Sequence, residues 1–323
     1  MARHSESSCR TGEITIMNGY EGVLPVYKPA GFTSHDVVAK MRGILKMKRI
    51  GHTGTLDPQV TGVLPLCLGR ATRVVEYLQE LPKEYEATLR LGIATDTEDI
   101  TGEITDQVDQ VEVSSEDVKQ VLEQFVGKIS QVPPMYSAVK VDGKRLYELA
   151  RQGKTVERKS REVTIHELEL TGLTIKEGYP EISFRVLCSK GTYIRTLCVD
   201  IGKTLGYPST MVELTRTMSA GIPVGRCLKI EEIEQCVNEG TLSSYLIPTD
   251  QSIWNMPAYR LEEGYENSVF QGKKLSDTLV NQKINEEGLL RLYSANEQFL
   301  GIFDWTAESG IITPVKVFLP EPS

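Results

Sequence analysis

The stretch "GHTGTLDPQVTGVLPLCLGRATR", residues 51 to 73, sets one acid, Asp57, among a histidine, two arginines and several threonines and glycines. Pro58 biases Asp57 toward extended geometry, and Gly51, Gly54 and Thr55 supply a turn of small side chains. Such a turn leaves space above the carboxylate wide enough for a substrate ring. One accessible carboxylate suffices for nucleophilic or base catalysis. It does not suffice for ordinary glycoside hydrolysis, which flanks the bond with two acids. On spacing alone, an Asp-Pro pair that only shapes a turn fits the same residues.

Other chemistries find little support. Gly202-Lys203-Thr204 imitates the end of a phosphate-binding P-loop, but Leu197 stands where the motif's first glycine must be. In "DTEDITGE", Ile100 occupies a calcium-ligand position and the glycine falls in the wrong place. The histidines His4, His35, His52 and His166 never pair at metal spacing. No nucleophile elbow or dinucleotide fingerprint is present, so neither a metal nor a cofactor is expected.

Charge is segregated. The net charge is −8, yet from Asp36 to Arg73 seven Lys/Arg stand against two acids, and from Lys140 to Glu162 eight against four. Between Asp96 and Glu123 lie ten acids and one lysine. A fold that collects such runs can present a basic cleft and an acidic back, and a phosphate chain feels the local field. The same runs also fit plain solvated faces.

Elements that must position these residues can be placed by pattern. Ser34 is expected to cap a helix with Val37, Val38, Met41, Ile44 and Leu45 on one face. In "YEATLRLG", Tyr85, Ala87, Leu89 and Leu91 share one side of a strand. Ser114 or Ser115 caps a helix with an apolar stripe of Val118, Val121, Leu122 and Phe125, stopped by Gly127. "VTIHELELTGLTI" and "EISFRVLCS" read as strands. "TYIRTLCVDIGKTLG" reads as a helix burying Ile194, Leu197, Cys198, Ile201 and Leu205, with position 195 off that stripe. Strands mixed with single helices predict an α+β fold with a mainly antiparallel sheet. From about residue 251 the texture turns to short strands, which predicts a small β-rich domain through 323.

The polar start, residues 1 to 20, is expected to be a loose tail, with Met17 a second candidate start; the catalytic domain is then 21–250. No apolar run approaches the roughly 18 residues of a membrane span. Six cysteines without metal-type pairing, most among apolar neighbours, and no signal-peptide pattern lead to the expectation of a reducing cytoplasm.

The motif around Asp57 resembles the catalytic motif of the bacterial tRNA pseudouridine-55 synthases, the TruB family. "VYKPAGFTSHDVV" (26–38), "KEYEATLRLG" (83–92), "TEDITGE" (97–103), "PPMYSAVKVDGKRLYELAR" (133–151), "CSKGTYIRTL" (188–197) and "LTRTMSAGI" (214–222) follow in the family's order. The resemblance spans about residues 20 to 230, and the last 70 or so resemble the family's PUA-like RNA-binding domain more weakly. It implies a pseudouridine synthase fold and an isomerase that detaches a uracil, rotates it and rejoins it through carbon 5 without a cofactor. The essential aspartate maps onto Asp57, acting on sugar or base as nucleophile, or removing a ribose proton. Its anionic form, desolvated in a closed pocket, needs a fixed cation. Arg195 matches that partner, although a surface arginine on a helix fits its position too.

By the same resemblance Tyr85 stacks on the target base, which is compatible with a core tyrosine packing below. Tyr193 and Leu214 match pocket walls, and Lys28 the site floor. His52 matches the residue that fills the gap left by the extruded base, where its position alone would read as a loop histidine. Lys40, Lys46, Lys48, Arg49, Lys144 and Arg145 are then candidate phosphate contacts. The implied partner is the T arm of tRNA, with no membrane and a monomeric protein. A tRNA-folding chaperone that needs no chemistry is the competing class.

Overall fold

The computed structural model describes residues 19–137, 139–141, 143–154 and 156–320, without the side chains of Lys140 and Arg145. Cys9 and nearly all of the expected tail therefore lie outside the described residues.

In chain order, β1 (Gly22–Lys28) leads to α1 (Ser34–Leu45), β2 (Ile50–His52), β3 (Thr61–Leu68), α2 (Val75–Glu80) and β4 (Lys83–Leu91). A hairpin of β5 (Ile93–Thr95) and β6 (Ile104–Gln107) precedes α3 (Ser115–Gln124) and β7 (Gly127–Gln131). Next come β8 (Lys140–Val141), β9 (Lys144–Arg145), α4 (Leu146–Ala150) and the long strands β10 (Arg161–Lys176) and β11 (Tyr179–Cys188). Then α5 (Ile194–Thr204), β12 (Ser209–Ser219), β13 (Ile222–Pro223), α6 (Ile230–Glu239) and α7 (Thr249–Ser252) complete this part of the chain. The remainder holds β14 (Ala258–Arg260), α8 (Glu266–Phe270), β15 (Leu275–Ser276), β16 (Gly288–Tyr293), β17 (Phe299–Thr306) and β18 (Ile311–Val317).

One sheet runs in the order β1-β3-β12-β4-β11-β10-β7, with β2 added on β3 and β13 on β12. Its pairings are antiparallel except the short contact of β12 with β3. A second sheet, β14-β16-β17-β18-β15, lies C-terminal to it. Among the described residues no helix is long and apolar enough to cross a membrane.

Burial explains the layering. Leu64, Leu66 and Leu68 of β3 pack under α1 and α6 with Val37, Met41 and Ile233. Val63 and Cys67, on the opposite face of the same strand, join Ala71, Leu78, Ile253, Ile302 and Phe318. Both faces of β3 are thus covered, and the second sheet is seated on the first through Ile302 and Phe318. Arg73 reinforces that joint: it donates to the Val317 carbonyl and lies over the Phe318 ring, 5.0 Å from its centroid. Farther along the sheet, Leu89, Leu91, Phe184 and Val186 pack against α3 and α5.

Two local expectations are corrected. Thr33, not Ser34, caps α1: its hydroxyl accepts from Asp36 N–H at 3.0 Å and the Asp36 carboxylate accepts from Thr33 N–H at 2.8 Å. That reciprocal capping box outcompetes the neighbouring serine. Ser34 is buried and bonds elsewhere. In α3 the expected Ser114 is the cap, paired with Asp117, but the helix ends at Gln124, and Gly127 opens β7 instead of stopping the helix.

Gly62 is required where β3 meets β12. Its φ is +107°, and a Cβ there would sit 2.2 Å from the backbone oxygen of Arg216. Gly62→Ala is expected to cost roughly 2 kcal/mol or more, read as a lower thermal midpoint. An unchanged midpoint would show that the two strands can part cheaply.

Candidate active site

The turn that carries Asp57 is held from two sides by buried cations. From β1, Lys28 Nζ donates to the carbonyls of Pro58 at 3.0 Å and Pro29 at 2.9 Å. From β12, Arg216 donates Nε to Val63 O at 2.7 Å and Nη2 to Gly54 O at 3.2 Å. Leu56 N–H donates to Ser34 Oγ at 2.9 Å, which ties the turn to the start of α1. Irregular backbone must find partners for its carbonyls when it is buried, and these side chains supply them. Lys28 is fully buried; burial pushes its ammonium down to about 8, against the opposing pull of the Asp57 charge.

Arg195 reaches the same carboxylate from the first turn of α5. Its Nη2 lies 3.1 Å from Asp57 Oδ2 and donates to Tyr136 O at 2.7 Å. Nη1 donates to Thr97 O at 2.9 Å and lies 3.8 Å from Asp99 Oδ2. The side chain is 7% exposed. Position 195 is therefore not off the buried stripe: in the first turn of α5, Ile194, Arg195, Thr196 and Leu197 are all buried, because the loops bearing Thr97 and Tyr136 cover that end. Tyr193, the residue before the helix, exchanges backbone bonds with the Gln131 side chain at 3.0 and 3.2 Å.

A cavity of about 300 Å³ opens before the carboxylate, lined among others by Asp57, Lys83, Tyr85, Tyr193, Arg195 and Leu214. That volume suits a small ligand such as a nucleoside. Tyr85 faces Arg216 across the β4·β12 register, and Leu214 faces Ala87. Burial pushes the Tyr85 phenol up, and the Arg216 charge opposes the shift. The expected closed pocket is corrected: the Asp57 side chain is 48% exposed, since the small residues of its turn put no wall above it.

The other expected residues lie outside the lining. Lys28 sits beneath the turn. His52 ends β2 at the rim, where Nδ1 accepts from Gly54 N–H at 3.3 Å and the ring meets His35 edge-on at 5.5 Å. Burial first, and then the His35 charge, hold its imidazole below the usual histidine range, favouring the neutral ring. Lys40, Lys46, Lys48, Arg49 and Lys144 are exposed, with Arg49 Nε donating to Thr72 Oγ1 at 2.7 Å. The Arg145 side chain lies outside the described residues. Sequence reasoning passed over Lys83, Arg216, Asp99 and Gln131. Three of them stand inside quoted motifs, but nothing in their spacing marks a lysine or arginine as buried.

Comparison with known proteins accords with this geometry. Residues 42–194 match the TruB family pseudouridylate synthase N-terminal domain, and residues 195–253 the tRNA pseudouridylate synthase B C-terminal domain. The chain is 46% identical over 304 residues to a Staphylococcus haemolyticus protein named tRNA pseudouridine synthase B, covering 93% of this chain and 99% of that one. A Halalkalibacterium halodurans protein of the same name is 48% identical over 304 residues, covering 92% and 97%. Among solved structures, a chain of a Cbf5-Nop10-Gar1 complex aligns with TM-score 0.72 and 27% identity over 93% of this chain and 85% of that one. A chain of an H/ACA RNP bound to a substrate RNA containing 2'-deoxyuridine aligns with TM-score 0.71 at 24% identity, over the same 93% and 85%. The α+β architecture is thus a pseudouridine synthase fold followed by a PUA-like sheet, and the chain belongs to the TruB family of pseudouridylate synthases.

Proposed function

We propose that this protein isomerises uridine 55 in the T loop of tRNA to pseudouridine, with Asp57 as the catalytic carboxylate. The observation that carries the reading is the Asp57–Arg195 ion pair at the mouth of a cavity lined by Tyr85 and Leu214. The relatives named tRNA pseudouridine synthase B bring tRNA into it. The bond from ribose C1' to N1 breaks, the base turns, and a bond from C1' to C5 forms; C5 gives up a proton and N1 gains one. No cofactor takes part. The carboxylate enters as a nucleophile on sugar or base, or takes a ribose proton, and each route needs it ionised beside the guanidinium.

The target base leaves its stack, at a cost of a few kcal/mol. Tyr85 stacks on it, Tyr193 and Leu214 wall it, and Lys28 holds the turn from below. The neutral His52 ring, on the rim, fills the gap left in the loop. Lys48, Arg49, Lys144 and Arg145 meet phosphates. Residues 21–250 form the catalytic domain and 251–323 a second RNA contact; the protein works as a cytoplasmic monomer.

Replacing Asp57 with Asn is expected to lower pseudouridine formation in a T-arm hairpin by about a thousandfold or more while binding survives. Retained turnover would refute the catalytic assignment, and a variant that still refolds misfolded tRNA would add the chaperone role. Arg195→Lys is expected to lose roughly a hundredfold in kcat with little change in affinity, since an ammonium cannot reproduce the fork. Near-normal kcat would mean that charge alone suffices. Lys48→Ala with Arg49→Ala should reduce the salt slope of binding by about two, one per lost phosphate contact. An unchanged slope would move the RNA path off this loop.

A further inference from the structure

The cavity carries more positive charge than the chemistry above uses. Lys83, Lys190, Arg195 and Arg216 line it, against Asp57 as the one lining carboxylate among the described residues. Arg195 pairs with Asp57, and Lys190 pairs with Glu80. Arg216 is 1% exposed and turned onto backbone carbonyls. Like Arg216 and unlike Arg195 and Lys190, Lys83 has no carboxylate partner among the described residues, and more of it than of Arg216 is exposed. It is 7% exposed, and its Nζ donates to Leu81 O at 2.6 Å and to Gln79 O, both near the C-terminal end of α2.

An ammonium has three protons, so two carbonyl bonds leave one N–H over. Among the described residues no carboxylate lies within ion-pair distance of Lys83. A buried cation without a counter-charge is costly, and a site that keeps one is poised for an anion from outside. Uracil is neutral, so the base does not supply that anion. What every nucleotide of an RNA strand brings with it is a phosphodiester.

We infer that Lys83 is a substrate-binding residue whose remaining N–H meets a phosphodiester flanking the uridine that enters the cavity. The assignment rests on the RNA-modifying reading above. Around Lys83, Arg216 and Lys190 add like charge, while Glu80 and Cys188 pull the other way. Burial outweighs them and brings the ammonium down to about 8. The cation is therefore present at neutral pH and lost as pH rises through 8, and its grip on an anion goes with it.

The test uses a T-arm hairpin in which the phosphates 5' and 3' of the target uridine are replaced, one at a time, by neutral methylphosphonates. The wild-type protein is expected to lose roughly 10- to 100-fold in affinity at one of the two positions. Lys83→Met should lose the same on the unmodified hairpin and nothing further on that methylphosphonate. Losses that multiply at both positions would overturn the assignment. Should Lys83→Met not fold, the wild-type protein alone decides: affinity for the unmodified hairpin falls above about pH 8, and the fall disappears with the methylphosphonate at the contacted position. An equal fall for all three hairpins would overturn it. A hairpin that wild-type protein never pseudouridylates sinks the functional reading, whereas normal modification with multiplying losses sinks only the role of Lys83.

Discussion

A guanidinium that has given up its water, facing a carboxylate that has not, is the interaction around which the site is built. Arg195 is 7% exposed and Asp57 48%. The pair is therefore asymmetric. Without Asp57 the cation keeps its bonds to Thr97 O and Tyr136 O, and Asp99 stays within 3.8 Å. Without Arg195, two part-buried carbonyls lose their donors, and of the bonds that tie this end of α5 to its covering loops the one from Thr196 to Glu98 remains. The same residue that holds the anion also gathers three parts of the chain around it. Chemistry and local stability are separable at Asp57 but not at Arg195.

The rest of the site repeats this device. Lys28 bonds the carbonyls of Pro29 and Pro58, Arg216 those of Val63 and Gly54, and Lys83 those of Leu81 and Gln79. Each buried cation meets backbone oxygens, and its charge is left largely uncancelled by carboxylates. Neutral dipoles thus fix the geometry while the field over the cavity stays positive. Acidic groups are spent elsewhere: Glu84, Glu167 and Glu169 surround Arg185 across β4, β10 and β11, and Glu177 and Glu181 hold Arg90. The net charge of −8 is a whole-chain sum that says nothing about this local field.

Much of this was legible in the sequence, for reasons that differ by residue. The period-two pattern of β4 and the apolar stripe of α3 follow directly from which face each element buries. Asp57 stood out because small residues and a proline isolate it. Tyr85, Tyr193, Arg195 and Leu214 could be placed only through the family motifs, and the fold does bring all four to one cavity. Lys28 was expected at the floor and lies under the turn. Burial of Arg195 and Arg216 is not legible because it depends on chain segments far away in sequence: residues 97 and 136 cover the first, 54 and 63 the second. Asp99 stands in the calcium-like loop, and its carboxylate, outside the cavity lining, lies 3.8 Å from Arg195 Nη1. That Asp57 is half exposed also lay beyond a local pattern, since it reflects what is missing above the turn.

That exposure bears on how water is kept out. An isomerisation that frees the base from its ribose must shield the intermediate from hydrolysis. Tyr85, Tyr193 and Leu214 form apolar walls on the protein side. The turn itself has little freedom to close, because Lys28 and Ser34 hold it from one flank and Arg216 from the other. On the proposed function, the missing wall then comes from the RNA: the extruded nucleotide fills the cavity and its flanking strand covers the carboxylate. The site becomes dry only when the correct loop geometry seats the base and its phosphates together. Substrate choice and protection from water would then be one event, set by the shape of the loop more than by contacts to the uracil.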